Sequence, residues 1–299
     1  MNALVLFALT AAALNGSIGV ISKLLMKSGL NPYDIAFLKP AIALLLLSVL
    51  LFRTPIKQQK SLISTLRETN FKTVLLHIGI CALLGIFTLF LFETIAYEFG
   101  NASNVVVVLM AAAAIFALIF GKILLQETIS FSAVCGTALA IIGIFVISWS
   151  GSGNIWLVMN ASLAGLGYGL FSVLVKKYHL RGGIYLTAYL LLFGSLYLAV
   201  PFLYHAHPLH ISGQTALGLL ALAILPTILG FYCTTKALHY LTAGKTQVTE
   251  LSEPIFAAAL AWLFLQEIPG LSFVWGALCI VIGIGLINHL HLTLFSQKK

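Results

Sequence analysis

Ten long apolar runs, separated by short polar or Gly/Pro punctuation, constrain this chain more than any other feature. They fall near residues 2–26, 34–52, 73–97, 102–120, 130–149, 154–177, 183–203, 214–238, 246–265 and 271–291. A helix of roughly 20 apolar residues crosses a hydrocarbon layer of about 30 Å. Only helices and closed barrels satisfy every backbone N–H and C=O in lipid, and runs of this length suit helices. The pattern therefore predicts an all-α, polytopic membrane protein with ten transmembrane helices. With 61% hydrophobic and 8% charged residues, the chain lacks enough polar surface for a water-soluble domain. The apolar run from Met1 has no basic leader segment, so it reads as the first span and not as a cleaved signal.

The net charge of +8 does not point to nucleic acid, because no segment is polar enough to fold into a basic face. It is better explained by orientation. With the N-terminus in the cytoplasm, 13 of the 16 basic residues fall on the inner side: Arg53, Lys57, Lys60, Arg67, Lys72, Lys122, Lys176, Lys177, Arg181, Lys236, Lys245, Lys298 and Lys299. The outer side keeps Lys23, Lys27 and Lys39. One missed span would invert every later loop, so the asymmetry favours ten spans, both termini cytoplasmic, in a bacterial inner membrane. Cys81, Cys135, Cys233 and Cys279 lie in apolar runs without metal or redox spacing, and read as small buried hydrophobes.

The chain also repeats itself. Leu125-Gln126-Glu127 with Gly136 and Gly143 recurs as Leu265-Gln266-Glu267 with Gly276 and Gly283 at the same spacing, and Gly19, Ser22 and Lys27 align with Gly169, Ser172 and Lys177. The division falls at residues 1–150 and 151–299. Five spans per half is an odd number, so the halves enter the membrane in opposite senses, as two inverted five-helix repeats. Such repeats can exchange conformations around one central site.

The second half carries a further series: Pro226-Thr227, Gly230-Phe231-Tyr232, Ala237-Leu238, Glu253-Pro254, Leu265-Gln266-Glu267, then the Gly276 to Gly283 helix. In this order and spacing the chain resembles the EamA-type branch of the drug/metabolite transporter superfamily along essentially its whole length. Members often carry Trp-Gly in the first helix, Arg in the second and Pro in the fourth, where this chain has Asn15-Gly16, Lys39 and Ala113-Ala114. The resemblance implies a secondary transporter, an exporter of a small polar metabolite such as an amino acid or derivative, working by alternating access.

Ionisable groups inside a span cost at least about 2.5–3.5 kcal/mol each on insertion scales, so they are candidates for the solute path. Glu93, Glu250 and Glu253 qualify, with Lys39. Glu250 and Glu253 stand three apart on the ninth span and share a face. The alternative for Glu253 is a structural tie to Lys236 or Lys245. Glu93 and Lys39 can meet as a buried pair or an outer gate, or Lys39 can snorkel, as Lys23 is expected to. Low dielectric disfavours charged carboxylates in general, so proton coupling belongs to the same reading. Asn15, Asn104, Tyr168 and Tyr232 are polar within spans and should face the bundle interior, against solute or against another helix. Pro254, Pro226 and Pro40 are the candidate helix breaks.

Outside the spans, Glu127 and Glu267 are expected to cap or anchor their hairpins. His205, His207 and His210 read as a solvated outer loop, with no metal site and no cofactor implied. No GxxxxGK[ST] is present for nucleotide-driven transport. A runner-up solute is an organic cation such as choline, which requires Tyr168, Tyr232 and Trp262 around Glu253. An intramembrane enzyme lacks a nucleophile–base pair or His-Glu-x-x-His in the spans, and a membrane scaffold gives no reason for the carboxylates.

Overall fold

The structure is a computed structural model and describes residues 3–53, 63–64, 70–126, 131–147, 154–205, 208–209, 211–241, 243, 246, 250, 252–268 and 270–296. Glu127, Lys245, His207 and His210, like Lys57, Lys60, Arg67, Lys298 and Lys299, lie outside the described residues. The chain is nearly all helix. Its elements are α1 (Ala3–Asn15), α2 (Ile18–Lys27), α3 (Pro32–Arg53), α4 (Phe71–Ala82), a π-helical segment (Leu83–Thr88), α5 (Leu89–Ala96), α6 (Ala102–Leu125) and α7 (Phe131–Ile147). There follow α8 (Ile155–Lys177), α9 (Ile184–Tyr204), α10 (Gly213–Leu222), a second π-helical segment (Ala223–Gly230), α11 (Phe231–Tyr240), α12 (Glu253–Leu265) and α13 (Leu271–Ser296).

Among the described residues, seven helical paths are long and apolar enough to cross a membrane: Leu6–Lys27, Pro32–Val49, Phe71–Ala96, Ala102–Leu125, Ile155–Lys177, Ile184–Tyr204 and Gly213–Tyr240. Shorter apolar stretches within α7, α12 and α13 accompany them. The helices follow the expected spans closely because sequence punctuation coincides with capping chemistry. At the start of α3 the Asn31 side chain accepts from the Asp34 N–H and the Asp34 carboxylate accepts from the Asn31 N–H, both at 2.8 Å. Pro32 occupies the first helical position, where its missing N–H costs nothing. The two Leu-Gln-Glu motifs end their helices alike: Gln126 and Gln266 are left-handed, at φ 56° and 57°, and close on the carbonyls of Gly121 and Ala261.

The third path of each half is widened at a corresponding place. Thr88 donates its hydroxyl to the Leu83 carbonyl and Thr227 to the Leu222 carbonyl, each five residues back and each at 2.8 Å. In the second case the cause is visible. Pro226 has no N–H to offer Leu222 four residues earlier, and the threonine hydroxyl takes that place. Pro40 behaves differently, since α3 runs through it without interruption. Pro254 lies in the first turn of α12, a position that suits proline.

Packing depends on small residues. α8 lies against α6 through Gly165 and Gly169, so closely that a Cβ at Gly169 would stand 2.5 Å from the Ala113 carbonyl oxygen and 2.9 Å from the Ala117 nitrogen. α7 and α13 pair through Gly143, which leaves no room for a side chain beside Gly276 and Ile280. Gly169→Val must displace backbone on α6 and should destabilise the protein by about 1–3 kcal/mol. A lower melting temperature than wild type in detergent is the expected outcome, and an unchanged one would contradict the close α6–α8 approach.

Candidate functional site

Two helices stop at mid-depth, and their ends meet. The first path is interrupted at Gly16-Ser17, where Ser17 returns its hydroxyl to the Leu14 carbonyl at 2.7 Å. Asn15 is therefore a terminal residue of α1, free of the regular helical wall. A Cβ at Gly16 would stand 2.8 Å from the Cβ of Phe256, so α12 docks directly on this break. Glu253 opens α12, and the Asn15 amide faces its carboxyl group. A carboxyl at the start of a helix also faces its positive dipole end.

Glu253 and Asn15 line a small cavity together with Glu93, Tyr168, Phe90 and Phe231. Pro226 and Thr227 of the second π-helical segment form part of its wall. The cavity measures about 30 Å³, room for water but not for a metabolite. Glu93 and Glu253 belong to its wall and Glu250 stands behind Tyr168, so three buried carboxyl groups face one buried lysine among the described residues.

Each carboxyl has its own partners. Lys39, only 1% exposed, places Nζ 3.5 Å from Glu93 Oε2 and 4.0 Å above the Phe90 ring centroid. Tyr97 donates to the other Glu93 oxygen at 3.0 Å. Glu250 is fully buried and accepts hydroxyl hydrogen bonds from Tyr168 and from Thr234, the latter at 2.7 Å. Glu253 has Asn15 beside it, and Glu93 and Glu250 are near enough to interact with it electrostatically. Lys236 does not serve it. Its stem runs alongside Gly183, and its ammonium lies 6.0 Å from the Tyr240 ring centroid.

Toward the face that carries Glu267, a vestibule of about 580 Å³ opens between Lys23, Lys27, Asn31, Tyr97, Glu98 and Glu267. Tyr97 belongs to its wall and bonds Glu93, which belongs to the inner cavity, so this one side chain stands between the two spaces. The vestibule is crossed by a latch. Glu267 accepts from Lys23 at 2.5 Å and from the Ala102 N–H at 2.9 Å, capping α6 and tying it to α2. Lys23 is thus paired and not snorkelling. His205, on the same face, stacks on Tyr33 with ring centroids 3.7 Å apart.

Among the residues singled out from sequence, the structure brings together Asn15, Lys39, Glu93, Tyr168, Glu250 and Glu253. It leaves Asn104 buried elsewhere on α6, and Tyr232 half-buried, edge-on to Phe7 and away from the cavity lining. Trp262 is 62% exposed, so the aromatic enclosure of Tyr168, Tyr232 and Trp262 around Glu253 is not formed. Phe90 and Phe231 line the cavity instead. Sequence reasoning missed Tyr97 and Thr234. The first had a signal, since it stands one helical turn after Glu93. Thr234 had none, because its partner lies 16 residues away in sequence.

A sequence profile of the EamA-like transporter family matches residues 2–149 and again 152–289. The chain belongs to the EamA-like transporter family. Among curated relatives of this EamA-like chain is an uncharacterized transporter of Bacillus subtilis, YdfC, 22% identical over 66% of this chain and 69% of its own. An uncharacterized transporter of Archaeoglobus fulgidus is 25% identical over 71% and 75%. A probable terminal-alkyne amino-acid exporter of Streptantibioticus cattleyicolor is 27% identical over 63% and 64%. A solved structure, titled only as the crystal structure of a protein, superposes with a TM-score of 0.72 over 98% of this chain and 99% of that one, at 14% identity, and so shares the fold. The protein is therefore a multi-pass membrane transporter and not an enzyme.

The hydrogen bond from Tyr168 to Glu250 joins α8 to the approach of α12, and its worth is measurable. Tyr168→Phe, Glu250→Gln and the double variant should show a coupling of about 0.5–3 kcal/mol in thermal unfolding, as expected for groups in direct contact. Simple additivity would mean that the contact does not hold these elements together.

Proposed function

We propose that this EamA-like protein is a secondary exporter of a small metabolite bearing an ammonium group, with amino acids or their derivatives the leading class, exchanged for protons by alternating access. The observation that carries the reading is the charge inventory of the cavity. Two carboxyl groups line it, a third stands directly behind Tyr168 of its wall, and one lysine offsets one of the three. An ionised carboxylate in a low-dielectric site is costly without a cation beside it, and hydroxyl or amide partners offset only part of that cost, so the two remaining groups favour protons or a cationic guest. A solute ammonium at Glu253 and a proton there exclude one another, which is the elementary requirement of exchange.

Glu253 is the favoured contact. It faces the cavity, and it is less encumbered than Glu93, held by Lys39 and Tyr97, or Glu250, held by two hydroxyls. Export, and amino-acid-like cargo, are supported by the relative named as a probable terminal-alkyne amino-acid exporter, a description of that protein. The two family matches, 2–149 and 152–289, support two five-span units of opposite orientation. The bias of 13 of 16 basic residues to one side supports an inner-membrane protein with both termini in the cytoplasm.

A specific observation also favours the second reading, an organic cation such as choline. The cavity lining contains the Glu253 carboxyl and the rings of Tyr168 and Phe231 and, among the described residues, no cationic side chain to meet a solute carboxylate. The ammonium group is common to both readings.

Purified protein in vesicles should exchange labelled amino acids, choline or simple amines, with flux driven by an imposed proton gradient. Glu253→Gln should keep its fold, judged by melting and yield, and lose at least about tenfold in flux, the equivalent of roughly 1.4 kcal/mol. Absence of flux across the whole panel, or a Glu253→Gln protein indistinguishable from wild type, overturns the proposal.

A further inference from the structure

The geometry points to a second ammonium subsite beside the cavity, formed by Glu93 and the face of Phe90 and filled by the side chain of Lys39, which makes the cavity selective for solutes with a single ammonium group. The inference rests on the reading that a solute ammonium binds at Glu253.

A carboxylate edge and an aromatic face converging on one point are the elements that recognise an alkylammonium ion. Here the point is occupied. Lys39 Nζ is 3.5 Å from Glu93 Oε2 and 4.0 Å above the Phe90 ring centroid. The second Glu93 oxygen is taken by the Tyr97 hydroxyl, so the free edge of the carboxylate is the one turned to the lysine. Glu93 and Phe90 both line the cavity, whereas Lys39 does not. Its ammonium therefore holds the recognition pair without contributing to the cavity wall. Lys39 is the chain's own alkylammonium ligand, carried on α3 and delivered across to α5.

Two consequences follow for selectivity. With Lys39 in place, the Glu93–Phe90 pair has no capacity for a guest, and the cavity offers one ammonium position, at Glu253. A diamine would then have to put its second charge where no acceptor is free. Without Lys39, the vacated space adjoins the cavity at Glu93, and two carboxyl-containing positions become available to one guest. Lys39 acts by occupying a position and not by touching the solute, so it is a specificity-determining residue. A purely structural role for the Lys39–Glu93 pair gives no reason for solute preference to change when the lysine is removed.

The test is the ratio of affinities for 1,4-diaminobutane and n-butylamine, read from melting shifts of the full-length protein in detergent. Wild type should respond to n-butylamine and scarcely to the diamine. Lys39→Ala should shift the ratio toward the diamine by at least about tenfold, as one added ammonium–carboxylate contact warrants. An optimum chain length should appear across diamines of three to six carbons. Lys39→Arg, which keeps a cation in place, and Lys39→Ala/Glu93→Gln, which removes the acceptor as well, should not gain it.

Should Lys39→Ala fold poorly, Lys39→Met retains most of the stem's volume and should shift the ratio in the same direction by a smaller step. Recovery of folded Lys39→Ala only in the presence of the diamine would equally support the subsite. A ratio unchanged from wild type in both variants, while n-butylamine still stabilises them, overturns the subsite and leaves the ammonium reading of Glu253 standing. No response of wild type to any amine overturns that reading itself.

Discussion

The cost of placing charge in a dry interior governs how this protein is built. Glu93, Glu250 and Glu253 are all buried, yet each is approached by different chemistry: an ammonium and a phenol, two hydroxyls, and an amide at a helix break. These partners come from α1, α3, the C-terminal cap of α5, α8 and α11, so accommodating the carboxyl groups requires most of the bundle to converge. Removing one partner of a buried pair is costly because it strands the other, whereas the intact set is close to neutral for stability. Retaining three acids where apolar residues would pack as well is therefore a poor investment in stability alone. It makes sense where a proton or a cationic guest completes the set.

The same economy appears in the backbone. Lipid offers no hydrogen bonds, so any irregular turn must be repaired internally. At Leu222 the donor removed by Pro226 is replaced by the Thr227 hydroxyl. At Leu83 the corresponding widening is closed by Thr88 although no proline is present, since Phe87 stands there. The shared geometry is thus a property of the repeated unit, with proline an addition in one copy. Widening also has a spatial use. It turns Pro226 and Thr227 into cavity wall, and it brings Gly85 under the ring of Phe171, a contact that tolerates no Cβ.

Much of the fold was legible in the sequence because membrane constraints are local. Length, hydropathy and turn residues set the spans, and Asn31-Pro32 and Leu-Gln-Glu marked helix ends by capping chemistry that acts over a few residues. The buried ionisable residues were legible for the same reason, since their cost in lipid singles them out. What they touch was not. The organic-cation reading required Tyr232 and Trp262 around Glu253, but the rotation of α11 and α12 turns one to half-burial and the other outward, and Phe90 and Phe231 line the cavity instead. Rotation depends on how neighbouring helices interlock, and an apolar helix with little difference between its faces gives no sequence cue to it. The Lys23–Glu267 latch, linking residues 244 apart, was hidden for the same reason.

The disposition of space then bears on how a solute could move. On the Glu267 side the vestibule of about 580 Å³ is large enough for a metabolite, whereas the inner cavity of about 30 Å³ is not. Tyr97 stands between them and the Glu267 latch crosses the vestibule; the latch joins different helices, whereas the Tyr97–Glu93 bond spans a single helical turn. Tyr97 is packed so that a Cβ on Gly19 would stand 2.8 Å from its ring, which leaves the phenol little freedom unless α2 moves. Lys23, the cation of the latch, is carried by α2 itself. A displacement of α2 would accordingly act on the latch and on the packing of Tyr97 at once, and through the Tyr97 hydroxyl on Glu93. Access from this face and the state of the carboxyl cluster would thereby be tied to the same short helix, which the break at Gly16-Ser17 separates from α1.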